Sequence, residues 1–335
     1  MTYILLIASL LLLVLAAEIL TNGFEHFGMR LKISEGVTGS IFAAVATALP
    51  EATVPLVAIF GSAGGSQTSN DIGIGAILGA PLMLSTLSIF LMSAFVVKQR
   101  TLTGYVTPEY TGIKRDLIFF IIFYLFATLA FFIPHERMEI KIIIASIMVL
   151  GYVLYLKQTI QASNKLVDQG HGTSADHPLL FTRVTKLPTN LLTIIIQLIL
   201  AFILMIFSAE IFIDGIKTVS LQFDISPLLL SLAIVPVATE LPEKVNSILW
   251  IRKGKDTLAF GNITGALVFQ GSLLPAIGIL CTPWNPNPLT ILSSIITIFA
   301  SVWLLFIHSN KGFKISNLLV CGIFYITYFV IIAFQ

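Results

Sequence analysis

The hexapeptide Ala46-Thr47-Ala48-Leu49-Pro50-Glu51 returns 192 residues later as Ala238-Thr239-Glu240-Leu241-Pro242-Glu243. Both copies lie inside long apolar stretches. A carboxylate beside a proline at that depth is costly in hydrocarbon, and such residues face a polar interior or a water-lined path. Two copies at a fixed offset point to a duplicated membrane chain with one shared polar centre.

The composition agrees with a bilayer as solvent. Of 335 residues, 56% are hydrophobic and 11% charged, against about 25% charged in soluble domains. A membrane-crossing helix needs about 20 mostly apolar residues. Ten stretches qualify: 2–25, 36–60, 72–97, 117–134, 139–157, 190–215, 226–250, 257–280, 287–308 and 315–334. The first has no basic leader and no small-residue cleavage pattern, so it reads as a retained helix. The expected fold is an all-α polytopic membrane protein. Residues 1–157 form a first set of five spans, 158–189 a cytoplasmic linker, and 190–335 a second set.

Basic residues orient the chain. With the N-terminus outside, fifteen of the 19 Lys and Arg residues fall in cytoplasmic segments. Three (Arg137, Lys141 and Lys217) fall outside, and Lys244 lies within a span. Lys and Arg collect on the cytoplasmic side, so a multi-pass protein of the cell membrane with both termini outside is expected.

The offset of 192 extends beyond the hexapeptide: twelve of the 35 pairs aligned between 17–51 and 209–243 are identical. They include Glu18 with Glu210, Gly23 with Gly215 and Ser34 with Ser226. A weaker echo pairs Gly75-x-x-x-Gly79-Ala80 with Gly261-x-x-x-Gly265-Ala266, after a six-residue deletion. Because each half holds an odd number of spans, the second half enters the membrane in the opposite sense. The chain thus reads as two inverted five-helix repeats, a design of many secondary transporters. The GxxxG pairs suit close helix packing.

Each hexapeptide carries a set of hard oxygen atoms. Proline has no N–H for the carbonyl four residues back, so Pro50 frees the Ala46 carbonyl and Pro242 frees that of Ala238. Thr47 and Glu51, like Thr239 and Glu243, are four apart and share a helix face. Carboxylates, hydroxyls and carbonyls suit Ca²⁺, Na⁺ or H⁺ rather than soft metals. The candidate cation-binding residues are therefore Glu51, Glu243, Thr47, Thr239, Ala46 and Ala238, with Glu51 and Glu243 the metal-binding acids. Two glutamates balance one divalent cation, two monovalent cations or two protons. Competition for the same acids is enough to couple their movements.

These residues resemble the cation/calcium exchanger superfamily, in its prokaryotic sodium/calcium exchanger-like branch. That family has ten spans, inverted repeats and a G-T-S-L-P-E-like motif on spans two and seven. The resemblance covers nearly the whole chain. It implies that Glu51 and Glu243 are the principal cation ligands, assisted by Thr47 and Thr239. It also implies that spans three and eight complete the site through a G-S-N-containing motif. Here this sequence departs: Gly79-Ala80-Pro81-Leu82-Met83-Leu84 and Gly265-Ala266-Leu267-Val268-Phe269-Gln270 stand in its place, so the serine and asparagine ligands are missing. Gln270 occupies the place of an acid or amide. The usual serine of the hexapeptide is Ala48 in one copy and Glu240 in the other, which adds Glu240 and Gln270 to the candidate cation ligands. Lys244 follows Glu243 and stands one turn after Glu240, the favourable order for a pair. Either Lys244 neutralises Glu240, or Glu240 binds cation while Lys244 acts as an internal counter-charge.

The expected function is a secondary antiporter working by alternating access. Ca²⁺ exchanged for Na⁺ is the family expectation, with Ca²⁺/H⁺ or Na⁺/H⁺ exchange at the same two glutamates as the alternative. A passive cation channel is the rival of another class, although channels line their pores with rings of residues. An intramembrane hydrolase would need a nucleophile–base set or a metal centre, and no His or Cys accompanies the acids. The chain is thus expected to be no enzyme and to use no cofactor beyond the transported cations. Its expected partners are the lipid bilayer and inorganic cations, without nucleic acid; the oligomeric state is open. Glu18 and Glu210 suit either a second polar layer or packing between repeats, and Asn246 and Asn262 either amide ligands or interhelical hydrogen bonds.

Overall fold

A computed structural model describes residues 2–30, 44–61, 66–134, 136–167 and 178–333. Residues 168–177 of the expected linker lie outside the described residues, as do Lys32, Ser34 and His135. Among the described residues the regular structure is helical, apart from one short β-ladder. Its helices are α1 (Thr2–Arg30), α2 (Ala44–Phe60), α3 (Gln67–Met83), α4 (Ile89–Arg100), α5 (Tyr110–Leu129) and α6 (Met138–Val167). They continue with α7 (Leu180–Thr185), α8 (Leu191–Phe223), α9 (Pro227–Arg252), α10 (Asp256–Cys281), α11 (Pro288–Ile307) and α12 (Ile315–Ala333).

Among the described residues, eight helical stretches are long and apolar enough to cross a membrane. They correspond to every expected span except the two that carry the hexapeptides. α2 is described over 17 residues, and only Pro227–Val237 of α9 counts as apolar before Glu240, Glu243 and Lys244 intervene. Polar groups are placed as a bilayer requires. Ile4, Leu150, Phe299 and Phe306 are exposed, while Ser85, Ser231, Ser247, Gln270, Ser272 and Ser301 are completely buried.

The chain divides into two compact units, each built from both sequence halves. The first comprises Met1–Gly64 and Val153–Asp224. In it α1 packs antiparallel on α8: the Tyr3 hydroxyl donates to Gln222 Oε1 at 2.8 Å, and Gln197 Nε2 donates to the Ile19 carbonyl at 2.8 Å. A Cβ on Gly23 would lie 2.8 Å from Leu198, and one on Gly215 would lie 2.6 Å from Leu6. Leu198 is Leu6 displaced by 192, and Gly215 is Gly23 displaced by 192, so the two contacts are one contact made in both directions. Asn22 Oδ1 accepts from the Leu180 amide at 3.0 Å, and Gln197 Oε1 accepts from the Phe181 amide at 2.7 Å. This pair of amides pins α7 to α1 and α8.

The second unit comprises Gly65–Tyr152 and Ile225–Gln335. Here α3 packs on α9 through glycines. A Cβ on Gly75 would lie 2.7 Å from both the Leu228 carbonyl and Ser231 Cβ, and one on Gly79 would meet the Leu232 carbonyl and lie 2.8 Å from Pro236 Cγ. Ser231 Oγ closes the seam by donating to the Ile72 carbonyl at 2.5 Å. Gly261, in the second GxxxG pair, faces open space. α10 packs on α5 and α11 packs on α3 and α12.

A π-helical turn, Leu84–Ser88, joins α3 to α4. It follows Pro81, which sits inside the helix, and such turns form where the regular hydrogen-bond ladder is interrupted. The Thr86 hydroxyl donates to the Leu82 carbonyl; Ser272 Oγ donates to the Val268 carbonyl at 2.5 Å. Both residues of that second bond stand 186 positions after those of the first, the offset of the GxxxG echo.

The ends of these helices are clasped outside the apolar belt. Arg100 and Asp256 form a bidentate pair at 2.6 and 2.7 Å, the planar fork that arginine makes with a carboxylate. Arg100 also donates to the Ile251 carbonyl at 2.9 Å, and the Thr107 amide to Asp256 at 2.8 Å. Strands β1 (Tyr105–Val106) and β2 (Phe313–Lys314) pair antiparallel. His308 caps the end of α11 and lies between Tyr110 and Phe313, with ring centroids 4.6 and 4.5 Å away. Burial lowers the pKa of its imidazole, Glu109 raises it, and Lys114 lowers it further; the net direction is down.

Two outcomes follow from these contacts. Gly79→Ala places a methyl group against the Leu232 carbonyl and is expected to cost about 1–3 kcal/mol. Gly261→Ala meets nothing and is expected to be neutral or to stabilise by up to ~1 kcal/mol; thermal unfolding of the purified variants in detergent measures both. For His308, a depressed folded pKa means the unfolded chain binds the proton more readily. Its contribution to stability is present above pH ~6.5 and is lost as pH falls below that value. The loss of melting temperature between pH 7.5 and pH 5 should therefore be smaller in His308→Phe than in the parent.

Candidate functional site

The first hexapeptide lies on α2, in the first unit, and the second on α9, in the second. Both helices continue through their prolines. α2 runs past Pro50 and Pro55, and α9 past Pro236 and Pro242. The prolines thus remove single hydrogen bonds without ending the helix, which leaves backbone carbonyls available at these depths. The side chains of Ala46, Thr47, Glu51, Ala238 and Glu243 lie outside what the structure describes; their backbones are helical. Two residues after Glu51, Thr53 donates to the Met205 sulfur at 3.0 Å, fixing α2 against α8.

Around the second hexapeptide the geometry is explicit. Glu240, Lys244 and Gln270 are buried, with 0, 2 and 0% of their surface exposed. Gln270 Nε2 donates to Glu240 Oε1 at 2.9 Å, joining α9 to α10. The structure therefore brings together two of the residues at which the sequence departs from the exchanger pattern. Thr239 is 7% exposed and donates its hydroxyl proton to the Val235 carbonyl at 3.0 Å. A hydroxyl whose proton is committed to its own helix presents oxygen lone pairs elsewhere, which suits acceptance of a cation. Two turns further on, Asn262 Nδ2 donates to Ser247 Oγ at 2.9 Å, so Asn262 serves as an interhelical bond.

The carbonyl freed by Pro236, that of Leu232, is the atom against which Gly79 packs. Proline and glycine together bring α3 close to α9 just before the polar stretch. Of the symmetric acids, Glu18 is exposed and Glu210 half-buried.

Three polar features were not weighed in the sequence. Asp116 on α5 is 6% exposed and accepts from Thr264 Oγ1 at 2.7 Å. Ser85 and Thr86 lie buried in the π-helical turn, one turn after the Gly79 motif that lacks serine. Arg100 and Asp256 form their clasp across 156 residues. Asp116 and Asp256 both sit at the margins of apolar stretches, where a charged residue reads as solvated, and that concealed them.

The sum is a membrane transporter of the cation-exchanging class, with its acids on proline-interrupted helices, and not an enzyme. The family model of the sodium/calcium exchanger protein matches residues 1–160 and 193–335, and the chain belongs to that family. It is 25% identical over 287 residues to the putative antiporter CaxA of Alkalimonas amylolytica, covering 84% of this chain and 81% of the relative. It is equally 25% identical over 287 residues to the inner membrane protein YrbG of Escherichia coli K12, covering 85% of this chain and 81% of the relative. Among solved structures, the H⁺/Ca²⁺ exchanger CAX superposes with a TM-score of 0.74 at 16% identity, over 98% of this chain and 82% of that one. The sodium-calcium exchanger NCX_Mj gives 0.57 at 19% identity, over 99% of both chains. At these identities the two structures establish a shared fold.

The Gln270–Glu240 bond yields a direct outcome. Gln270→Leu removes the donor from a buried acidic group, a loss expected to cost about 1.5–3 kcal/mol. Thermal unfolding at neutral pH measures it, and a change below ~0.5 kcal/mol would show the bond to be dispensable.

Proposed function

We propose that the chain is a secondary antiporter that works by alternating access, exchanging Ca²⁺ for Na⁺ with Glu51 and Glu243 as the residues that carry the transported charge. Thr47, Thr239 and the carbonyls of Ala46 and Ala238 supply further oxygens, and Glu240 and Gln270 are further candidate ligands. The observation that carries this reading is the twin hexapeptide, acid for acid, in a chain of the sodium/calcium exchanger family. Ten spans complete it, with α2 and α9 added to the eight apolar stretches. The reciprocal contacts of α1 with α8 support an inverted repeat. The excess of basic residues supports a cell-membrane protein with both termini outside.

A second reading replaces Na⁺ by H⁺. It is favoured by the buried Glu240–Gln270 pair, which stands where the family's neutral ligands are expected. An acid binds a proton without any of the extra oxygens that Na⁺ requires.

Reconstituted proteoliposomes test both readings. Ca²⁺ uptake driven by an imposed Na⁺ gradient supports the first, and uptake driven only by a pH gradient supports the second. Glu51→Gln and Glu243→Gln are each expected to reduce uptake at least a hundredfold. Unchanged uptake in Glu51→Gln would remove the site assignment.

A further inference from the structure

The two hexapeptides, each taken with the residue that follows it, differ by a balanced exchange of charge. Positions 46–52 carry one charged residue, Glu51, and a formal charge of −1; positions 238–244 carry Glu240, Glu243 and Lys244, again −1. Where the first copy has Ala48 and Ala52, the second has gained one acid and one base. Both added groups are buried, Glu240 at 0% and Lys244 at 2% exposed. They lie one turn apart on α9, acid first, which places them on the same helix face. A charge moved out of water costs several kcal/mol unless it is compensated, so neither could have been gained alone without loss. Gln270 supplies Glu240 with one hydrogen bond at 2.9 Å, but a neutral amide does not cancel its charge. A lysine ammonium does, and it is a monovalent cation that cannot leave.

We propose that Lys244 is a tethered counter-cation for Glu240, so that this pair drops out of the transported charge and the exchange moves one divalent cation against two monovalent cations or protons, without net charge. The proposal rests on the antiport reading above, and it specifies the charge balance. Glu51 and Glu243 alone remain, with two negative charges to be matched in each half-cycle. A third uncompensated acid would demand a third monovalent cation and make the cycle electrogenic.

The test uses the full-length chain in proteoliposomes. Ca²⁺ accumulation is followed under a fixed Na⁺ or pH gradient while K⁺ and valinomycin clamp the membrane potential. One net charge per cycle would shift the steady-state Ca²⁺ ratio about 50-fold per 100 mV. The expected shift between clamps 100 mV apart is under threefold, and a shift of 50-fold or more overturns the proposal. Lys244→Gln is expected to slow uptake at least tenfold. In the double variant Glu240→Gln/Lys244→Gln the rate should recover at least fivefold over Lys244→Gln, because the pair is lost together. A double variant no faster than Lys244→Gln overturns the pairing. If Lys244→Gln does not yield folded protein, Glu240→Gln takes its place in the same comparison. Absence of gradient-driven uptake in the parent chain, or full uptake in Glu51→Gln, would overturn the antiport reading itself, whatever the potential dependence.

Discussion

An uncompensated charge in hydrocarbon is the constraint on which this structure turns. It bears most directly on α9, where the apolar stretch Pro227–Val237 gives way to Glu240, Glu243 and Lys244. The helices α2 and α9 hold the acids, and they need neighbours that supply polar partners. It also explains the inversion of the usual globular pattern. Large apolar side chains such as Phe306 face outward, and Ser231, Gln270 and Ser272 are sealed within. With lipid outside there is no hydrophobic gain in bringing helices together, so small residues and hydrogen bonds must do it.

Proline and glycine act here as the two sides of one contact. Pro236 leaves the Leu232 carbonyl without its helical donor, and Gly79 has no Cβ to keep α3 away from that oxygen. Ser231 then donates to Ile72 across the same seam. α9 is held closely just before it reaches Thr239 and Glu240, so the acid's position follows from backbone packing rather than from side-chain reach. The π-helical turn after Pro81 answers the same need on α3: Ser85 Oγ donates to the Pro81 carbonyl at 2.8 Å, supplying with a side chain what the disturbed ladder lacks.

Much of this was legible in the residues. Span limits follow from apolar run length, and the duplicated Glu, Gly, Ser and Pro positions mark the repeat because apolar bias cannot align them. The contact of Gly23 with Leu198, mirrored by Gly215 with Leu6, had its register already set by the offset of 192. What was not legible depends on pairing between distant segments. Gln270 meets Glu240 across 30 residues, and Arg100 meets Asp256 across 156; no local pattern encodes either. The two GxxxG pairs are identical in spacing, yet Gly75 and Gly79 face a helix and Gly261 faces open space. Spacing specifies a smooth face and leaves open what covers it. The α6 helix, expected to end near residue 157, continues to Val167, because its polar end remains helical beyond the apolar limit.

Duplication supplies two equivalent halves, and equivalence by itself confers no selectivity. The exchange of Ala48 and Ala52 for Glu240 and Lys244 breaks that equivalence while segments 46–52 and 238–244 keep the same formal charge. A single added acid would have altered the number of cations required for neutrality. The added lysine restores it, and the hydrogen bond from Gln270 holds the acid's orientation. In the proposed pairing, segment 238–244 lacks the neutral oxygen of the family's serine and carries a fixed dipole on one helix face. A cation that needs many oxygens is penalised by that change, and one that needs only two carboxylates is not. In the proposed exchange, selectivity therefore resides in the residues that depart from the repeat, while the repeat itself supplies the charge to be moved.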